Sequence, residues 1–286
     1  MCRCTGYRPI IEAFSTFAND GDISNNVPTK SIPEDILSSM RSLFTTEPRF
    51  DVKGVVWFKP KTVSGTLELM KKHPQYYLRQ GGTGTYKKFE KQEFDTIIDI
   101  SGVRELKKMS VTPDEAILNV GAGVTFTQLL SFLEAKKSIN KDNTITELMR
   151  VVNQLATPQV RNVASLGGSI LWDHPASDIT PLLLAVDATL EISDVNGVTT
   201  KVALEEVVRG KLQKKELLIR VLIPFGSEKF KIKFFKHARR TTADLAIANM
   251  SVAYNDVNHD VITNVKIYVG GIGLSVLDWS LKANSR

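Results

Sequence analysis

Gln159-Val160-Arg161-Asn162-Val163-Ala164-Ser165-Leu166-Gly167-Gly168-Ser169-Ile170 is the stretch around which this chain is organised. Gly167 and Gly168 stand between two small hydroxyl residues, Ser165 and Ser169. Leu166 lies inside the turn, and the apolar run Ile170-Leu171-Trp172 follows. Glycine reaches backbone angles closed to other residues and lets a ligand approach the bare main chain. Consecutive free N–H groups in such a turn form an anion-binding nest, and a helix starting there adds its positive end. Serine hydroxyls donate further bonds to phosphate or sugar oxygens. Read alone, the pattern is that of a tight turn with a serine cap. It has company, however: Gly81-Gly82-Thr83-Gly84-Thr85 lies upstream and Pro175-Ala176-Ser177-Asp178 follows. Two small-residue loops and one carboxylate suit a dinucleotide with a pyrophosphate and polar sugar or ring edges.

These motifs resemble those of a known family. QVRNVASLGGSI with PASDITPLLLA is similar to the flavin-binding domain of the molybdenum hydroxylases, the xanthine dehydrogenase and aldehyde oxidase family. LRQGGTGTY resembles that family's first flavin loop, and FFKHARRTTADLAIANMSVAY the start of its carboxyl-terminal subdomain. The opening MCRCTGYRPIIEAF is similar to the end of its second iron–sulfur domain. The likeness runs from residue 1 to about Gly271, with the motifs in the family's order.

Composition sets the frame. The chain has 286 residues, 42% of them apolar, which is enough for one or two cored globular domains. Net charge is +6 from 37 basic and 31 acidic residues in mixture, which excludes a dedicated nucleic-acid surface. No apolar run approaches the roughly 18 residues of a membrane span, and the amino terminus lacks a signal core. Both cysteines fall in the first four residues, so no disulfide framework is expected and a reducing, cytoplasmic setting is the default.

Taken in order, Cys2 and Cys4 form a C-x-C pair that can place two thiolates on one metal edge, whereas a cluster needs four. They read either as a cluster completed by another chain or as a leftover half-site. Residues 19–50 are rich in Asn, Asp, Ser, Thr and Pro and read as a linker. From Val55 the pattern is α/β. Val55–Phe58 and Tyr76–Arg79 read as strands around a helix begun by Thr62, and the second strand runs into the first glycine loop. Thr96–Ile100 and Ala116–Val120 follow as strands. Gly121-Ala122-Gly123 opens like a Rossmann fingerprint, but Phe126 replaces the third glycine and no acid-ended strand follows, so that reading fails. Thr125 is the expected N-cap of the next helix and Thr144 of the one after. Asp178 reads equally as an N-cap and as a ligand contact. Asn196-Gly197 marks a hairpin, and Glu216–Pro224 is another strand. In Lys229–Arg240 bases alternate strictly with Phe230, Ile232 and Phe234, which indicates a half-buried strand in preference to a single-stranded nucleic-acid site.

The resemblance implies an α+β fold: a PCMH-type FAD-binding domain of two α/β subdomains, then an antiparallel-sheet carboxyl subdomain that looks incomplete. It divides the chain into a [2Fe–2S] remnant at 1–18, a linker at 19–50, the FAD domain at 51–226 and the clipped subdomain at 227–286. By the same resemblance, Leu78, Arg79, Gln80, Gly81, Gly82, Thr83, Gly84 and Thr85, with Ser165, Leu166, Gly167, Gly168 and Ser169, cradle the FAD pyrophosphate and adjoining groups. Asp178 would accept bonds from a ribose or adenine-side group, and Leu155, Leu218 and Lys236 match further contacts at or near the ring and the adenine. Lys236 reads either as a stabiliser of negative charge on the flavin or as a solvated strand lysine. Ser169 stands where the family often has asparagine, and Leu155 where it often has an aromatic. In the full enzymes, iron–sulfur clusters fed by a molybdenum site pass electrons to the flavin, which reduces NAD or oxygen. No molybdopterin site and only half a cluster site are legible here. The expectation is therefore an FAD-binding oxidoreductase module, with a partner chain or a second copy as candidate partners and neither nucleic acid nor membrane. The alternative is a fragment that binds FAD without turnover.

Overall fold

The structure is a computed structural model that describes residues 49–52, 54–84, 94–114, 116–136, 142–211, 216–226, 230–240, 243–257 and 261–280. Cys2, Cys4, Thr85, the 1–18 segment and most of the 19–50 linker lie outside the described residues.

Strands β1 (Arg49–Val52) and β2 (Val55–Phe58) form an antiparallel pair. Helix α1 (Val63–Lys72) crosses to β3 (Tyr76–Arg79). Thr62 caps α1 by accepting from the Gly65 N–H at 3.1 Å, as expected of a hydroxyl before an apolar-periodic stretch. Strand β4 (Thr96–Asp99) lies between β2 and β3 and runs parallel to both, giving the sheet order β1-β2-β4-β3. Leu67 and Met70 of α1 pack on Ile98 of this sheet in a small core.

β5 (Met109–Val111) and β6 (Ile117–Gly121) open a five-stranded antiparallel sheet. Helix α2 (Phe126–Ala135) starts at Thr125 with a reciprocal capping box: Thr125 accepts from the Gln128 N–H, and Gln128 accepts from the Thr125 N–H. Helix α3 (Asn143–Gln154) is capped by Asp142, not Thr144. Thr144 is buried inside the first turn, and the Asp142 carboxylate holds the Ile145 and Gly226 N–H groups with one oxygen each. A carboxylate facing two N–H groups outcompetes a hydroxyl two residues further in.

Two short helices, α4 (Pro158–Arg161) and α5 (Leu166–Leu171), lead to α6 (Thr180–Ala185). β7 (Thr189–Asp194) and β8 (Thr199–Ala203) form the hairpin, with Gly197 at φ 86° supplying the left-handed turn residue. After the single turn α7 (Leu204–Glu206), β9 (Glu216–Pro224) inserts between β6 and β7, so the sheet order is β5-β6-β9-β7-β8. Because β6 runs antiparallel to its neighbours, its glycine turn belongs to no βαβ unit, and the rejected Rossmann reading stays rejected.

β10 (Phe230–His237), β11 (Ala248–Val257), β12 (Val261–Gly270) and β13 (Leu277–Asp278) form an antiparallel sheet in that order. Ile232 and Phe234 point into the large core while Lys233 and Phe235 are exposed, the alternation a half-buried strand requires. The fold is thus α+β, with its main core between the five-stranded sheet, helices α2, α3, α5 and α6, and the inner face of the last sheet. Among the described residues, no helix is long and apolar enough to cross a membrane.

Candidate functional site

β3 ends at Arg79, and the chain turns back at once through Gly81 (φ 61°) and Gly82 (φ 74°), both left-handed. Glycine at 81 is required twice over, because a Cβ there would also overlap the Val163 carbonyl. The first glycine loop is therefore pressed against the residues that lead into Ser165. Behind it, Arg79 bonds Asp99 on the neighbouring strand at 3.2 Å and lies 5.5 Å over the Trp57 ring. Its guanidinium sits under Gly82, where a Cβ would come within 2.9 Å of it. Arg79 thus braces the loop from the back and does not line the cleft in front.

The second loop is the cap and first turn of α5. Ser165 accepts from the Gly168 N–H at 3.1 Å. The Leu166 and Gly167 N–H groups go to the Val124 and Ala122 carbonyls, each at 3.0 Å, and the Ser169 N–H goes to the Ser165 carbonyl at 3.0 Å. All four N–H groups are engaged, so the nest of free donors expected here is absent. The turn after β6 takes those of Leu166 and Gly167, Ser165 takes the other two, and a Cβ on Gly167 would meet Ala122 Cβ at 2.7 Å. Free donors lie on the other loop instead. The N–H groups of Gly81, Thr83 and Gly84 have no hydrogen-bond partner among the described residues.

Between the two loops opens a cleft of about 540 Å³. It is lined by Leu78, Gln80, Gly82, Thr83, Gly84, Leu155, Ser165, Gly167, Gly168, Ser169, Asp178 and Leu218 of the expected set. Tyr76, Tyr77, Phe126 and Trp172 add aromatic wall, and burial pushes the Tyr76 and Tyr77 phenols up, so both stay neutral. Gly168 has only the Ser165 hydroxyl near the place of a Cβ, at 2.9 Å. It is not among the residues with positive φ, so its bareness serves the space in front of it and no special backbone angle.

Four expected contacts stand elsewhere. Arg79 and Gly81 support the first loop, Leu166 is fully buried in the core, and Lys236 lies behind the wall. Lys236 is no solvated lysine: its side chain is 8% exposed, and Asp178, at 2.5 Å, is 7% exposed. An ammonium has three N–H groups; here they go to Asp178 Oδ2, the Asp244 carbonyl at 2.9 Å and the Gln154 carbonyl at 3.4 Å. Asn249 donates to the other Asp178 oxygen at 3.2 Å and to the Ser177 carbonyl at 3.0 Å. Burial pushes the Asp178 carboxyl up, against the pull of Lys236 and Asn249. Asp178 caps nothing, since the Thr180 N–H goes to the Ser177 hydroxyl. Asn249 escaped the sequence reading, although a buried asparagine inside a strand is itself a signal, because strands are poor in that residue.

A dinucleotide fits these residues. Gln80 lines the cleft with a buried side-chain oxygen that has no donor, while its amide nitrogen reaches Gly123 O at 3.4 Å. A buried acceptor left unmet is costly, and a ligand hydroxyl or imide would satisfy it. The free loop N–H groups suit anionic oxygens, and the open face of Gly168 admits a ligand close to the main chain. Among the described residues no group of acids, histidines or cysteines has the arrangement of a metal site.

Residues 48–226 match the family model described as FAD binding domain in molybdopterin dehydrogenase. The chain is 28% identical to xanthine dehydrogenase of Oryza sativa subsp. japonica, over 95% of this chain and 24% of the relative. It is also 28% identical to aldehyde oxidase 3 of Mus musculus, over 97% of this chain and 24% of the relative. It thus spans about a quarter of the length of the curated relatives it matches. Quinoline 2-oxidoreductase from Pseudomonas putida 86 shares its fold, with a TM-score of 0.68 at 22% identity over 82% of this chain and 78% of that one.

Proposed function

This chain belongs to the family of FAD-binding domains of molybdopterin dehydrogenases, and we propose that it holds FAD between Gln80–Gly84 and Ser165–Ser169 and passes electrons through it to NAD or oxygen. One observation carries the placement: unmet polar atoms, the Gln80 side-chain oxygen and the Thr83 and Gly84 N–H groups, belong to residues that line one edge of a largely apolar cleft. The N–H groups would donate to the pyrophosphate oxygens, with the Ser165 and Ser169 hydroxyls opposite. Asp178, held by Lys236 and Asn249, would accept from a ribose or adenine-side group through its remaining lone pairs. Leu155, Leu218 and Phe126 exclude water from the chamber. When bound, FAD supplies the redox chemistry, taking up two electrons from one partner and delivering them to another.

The test is spectroscopic. The purified chain, reconstituted with FAD, is expected to retain flavin absorption that NADH bleaches anaerobically and air restores. A chain that takes up no flavin ends the reading. Flavin that neither NADH nor air changes favours a second one, a module that holds FAD without turnover. One observation speaks for that alternative: all three Lys236 N–H groups are spent on protein, which leaves none for charge on the flavin ring.

A further inference from the structure

The cleft wall made by Leu155 and Ala156 stands on the carboxyl end of α3. The last carbonyls of a helix have no partner within it, and this helix ends in an abrupt turn. The Leu155 N–H still reaches back to Val152 O at 3.2 Å, and then Ala156 takes the left-handed φ of 48°. That conformation is unfavourable for a residue with a Cβ and persists only where its surroundings over-determine it.

What surrounds it is Arg161. Its Nη1 lies 3.3 Å from the Asn153 carbonyl, 2.8 Å from that of Leu155 and 3.2 Å from that of Ala156. The fourth carbonyl of the turn, that of Gln154, goes to Lys236. Two cations thus satisfy four consecutive carbonyls at the negative end of a helix, where positive charge is favoured. Arg161 itself does not line the cleft. Its own helix, α4, carries Val160 onto the cleft wall and leads to Val163, whose carbonyl lies under Gly81.

We propose that Arg161 is a positioning residue for the cofactor: it locks Ala156 left-handed and so sets the Leu155–Ala156 wall against the bound flavin dinucleotide. The inference rests on FAD occupying this cleft. If Arg161 acts by holding a strained alanine, glycine at that position, which adopts the turn without strain, removes the need for it. The experiment is a cycle of Arg161→Met, Ala156→Gly and the double variant on the full chain. FAD affinity is read by flavin fluorescence, the geometry of bound FAD by visible circular dichroism, and the fold by thermal melting. Arg161→Met is expected to weaken FAD about tenfold, the affinity equivalent of one unsupported strained residue, and to change the dichroism. Adding Ala156→Gly is expected to bring the affinity back to within about threefold of wild type and to restore the spectrum.

Should Arg161→Met not fold, Arg161→Lys keeps the charge without the reach, and the same rescue is sought. A variant that melts earlier yet binds FAD with wild-type affinity and spectrum overturns the inference, because Arg161 then only stabilises. A loss that Ala156→Gly does not rescue overturns it too. A wild-type chain that takes up no FAD overturns the functional reading along with it, which separates the two failures.

Discussion

Gly167 and Gly168 are neighbours with different reasons to be bare. At Gly167 a methyl would stand 2.7 Å from Ala122 Cβ and 2.8 Å from its carbonyl, with no room to shift. At Gly168 a methyl would meet only the Ser165 hydroxyl, and larger groups would project into the cleft. Gly167→Ala is therefore expected to lower stability by about 1–3 kcal/mol, the usual cost of overpacking, with FAD affinity largely kept in the folded fraction. Gly168→Val is expected to fold and to lose FAD by at least about 100-fold, near 2.7 kcal/mol. Melting curves beside fluorescence titrations separate the two, and full flavin occupancy in Gly168→Val would show that this loop is not the cofactor wall. Lys236 and Asp178 form a second pair at this scale. Lys236→Met strands a buried carboxylate and is expected to cost about 3–5 kcal/mol, whereas Asp178→Asn with Lys236→Met recovers part of it; an uncoupled double variant in thermal melts would contradict that. The burial of Lys236 was legible: it shares strand parity with Phe230, Ile232 and Phe234, the inward set. The engagement of the Leu166 and Gly167 N–H groups was not, because their acceptors, Val124 and Ala122, lie about 40 residues upstream, and only the folded backbone accounts for them.

At the scale of elements, β10 is an edge strand, and edge strands expose unpaired backbone groups. Helix α3 covers this one with side chains instead of a ladder. Asn143 accepts from the Ile232 N–H at 2.5 Å, and Glu147 from the Phe234 N–H at 3.2 Å, while Arg150 donates to the Phe234 carbonyl. Positions 143, 147 and 150 share a helix face, and 232 and 234 share a strand edge, so the two periods meet in register. The helix stripe Ile145, Leu148 and Val152 was readable from sequence, but the polar face beside it carries no signal until β10 is known to lie there. Glu147 sets a pH dependence. Burial disfavours its charge, but bonds from Arg150, Lys233 and the Phe234 N–H outweigh it, so its carboxyl is held below the ordinary range. A depressed carboxyl contributes stability that is present above its unfolded pKa and is lost as pH falls through the folded one. Asp178 works in the opposite sense. Its raised carboxyl contributes stability below the ordinary value, which is lost as pH rises through the raised one. Glu147→Gln is thus expected to flatten the acid limb of a melting-temperature profile and Asp178→Asn to flatten the decline above it. Two unchanged profiles would show that neither group is coupled to folding.

For the whole molecule, β9 is the strand that makes one body of two cores. Leu218, Val221 and Ile223 enter the large core, while Leu217 and Ile219 enter the small one with α1 and β4. Its apolar run was plain in the sequence, and a strand hydrophobic on both faces needs cover on both. The cleft lies along the same seam, since Leu217 and Leu218 both line it, as do residues of β3 from one sheet and of α5 from the other layer. A ligand seated there touches both cores and has no counterpart in the unfolded chain. Binding therefore adds its free energy to folding as RT ln(1 + [L]/Kd), about 2.7 kcal/mol at a hundredfold excess over Kd. For a body of this size each kcal/mol is worth about 2–4 °C, so saturating FAD is expected to raise the melting temperature by about 5–10 °C. The rise should continue logarithmically with FAD concentration and be missing in Gly168→Val, which keeps the fold but closes the space. Differential scanning calorimetry across an FAD series checks both. A melting temperature indifferent to FAD in the wild type, or an equal rise in Gly168→Val, would mean that the cofactor does not join the two cores at this seam.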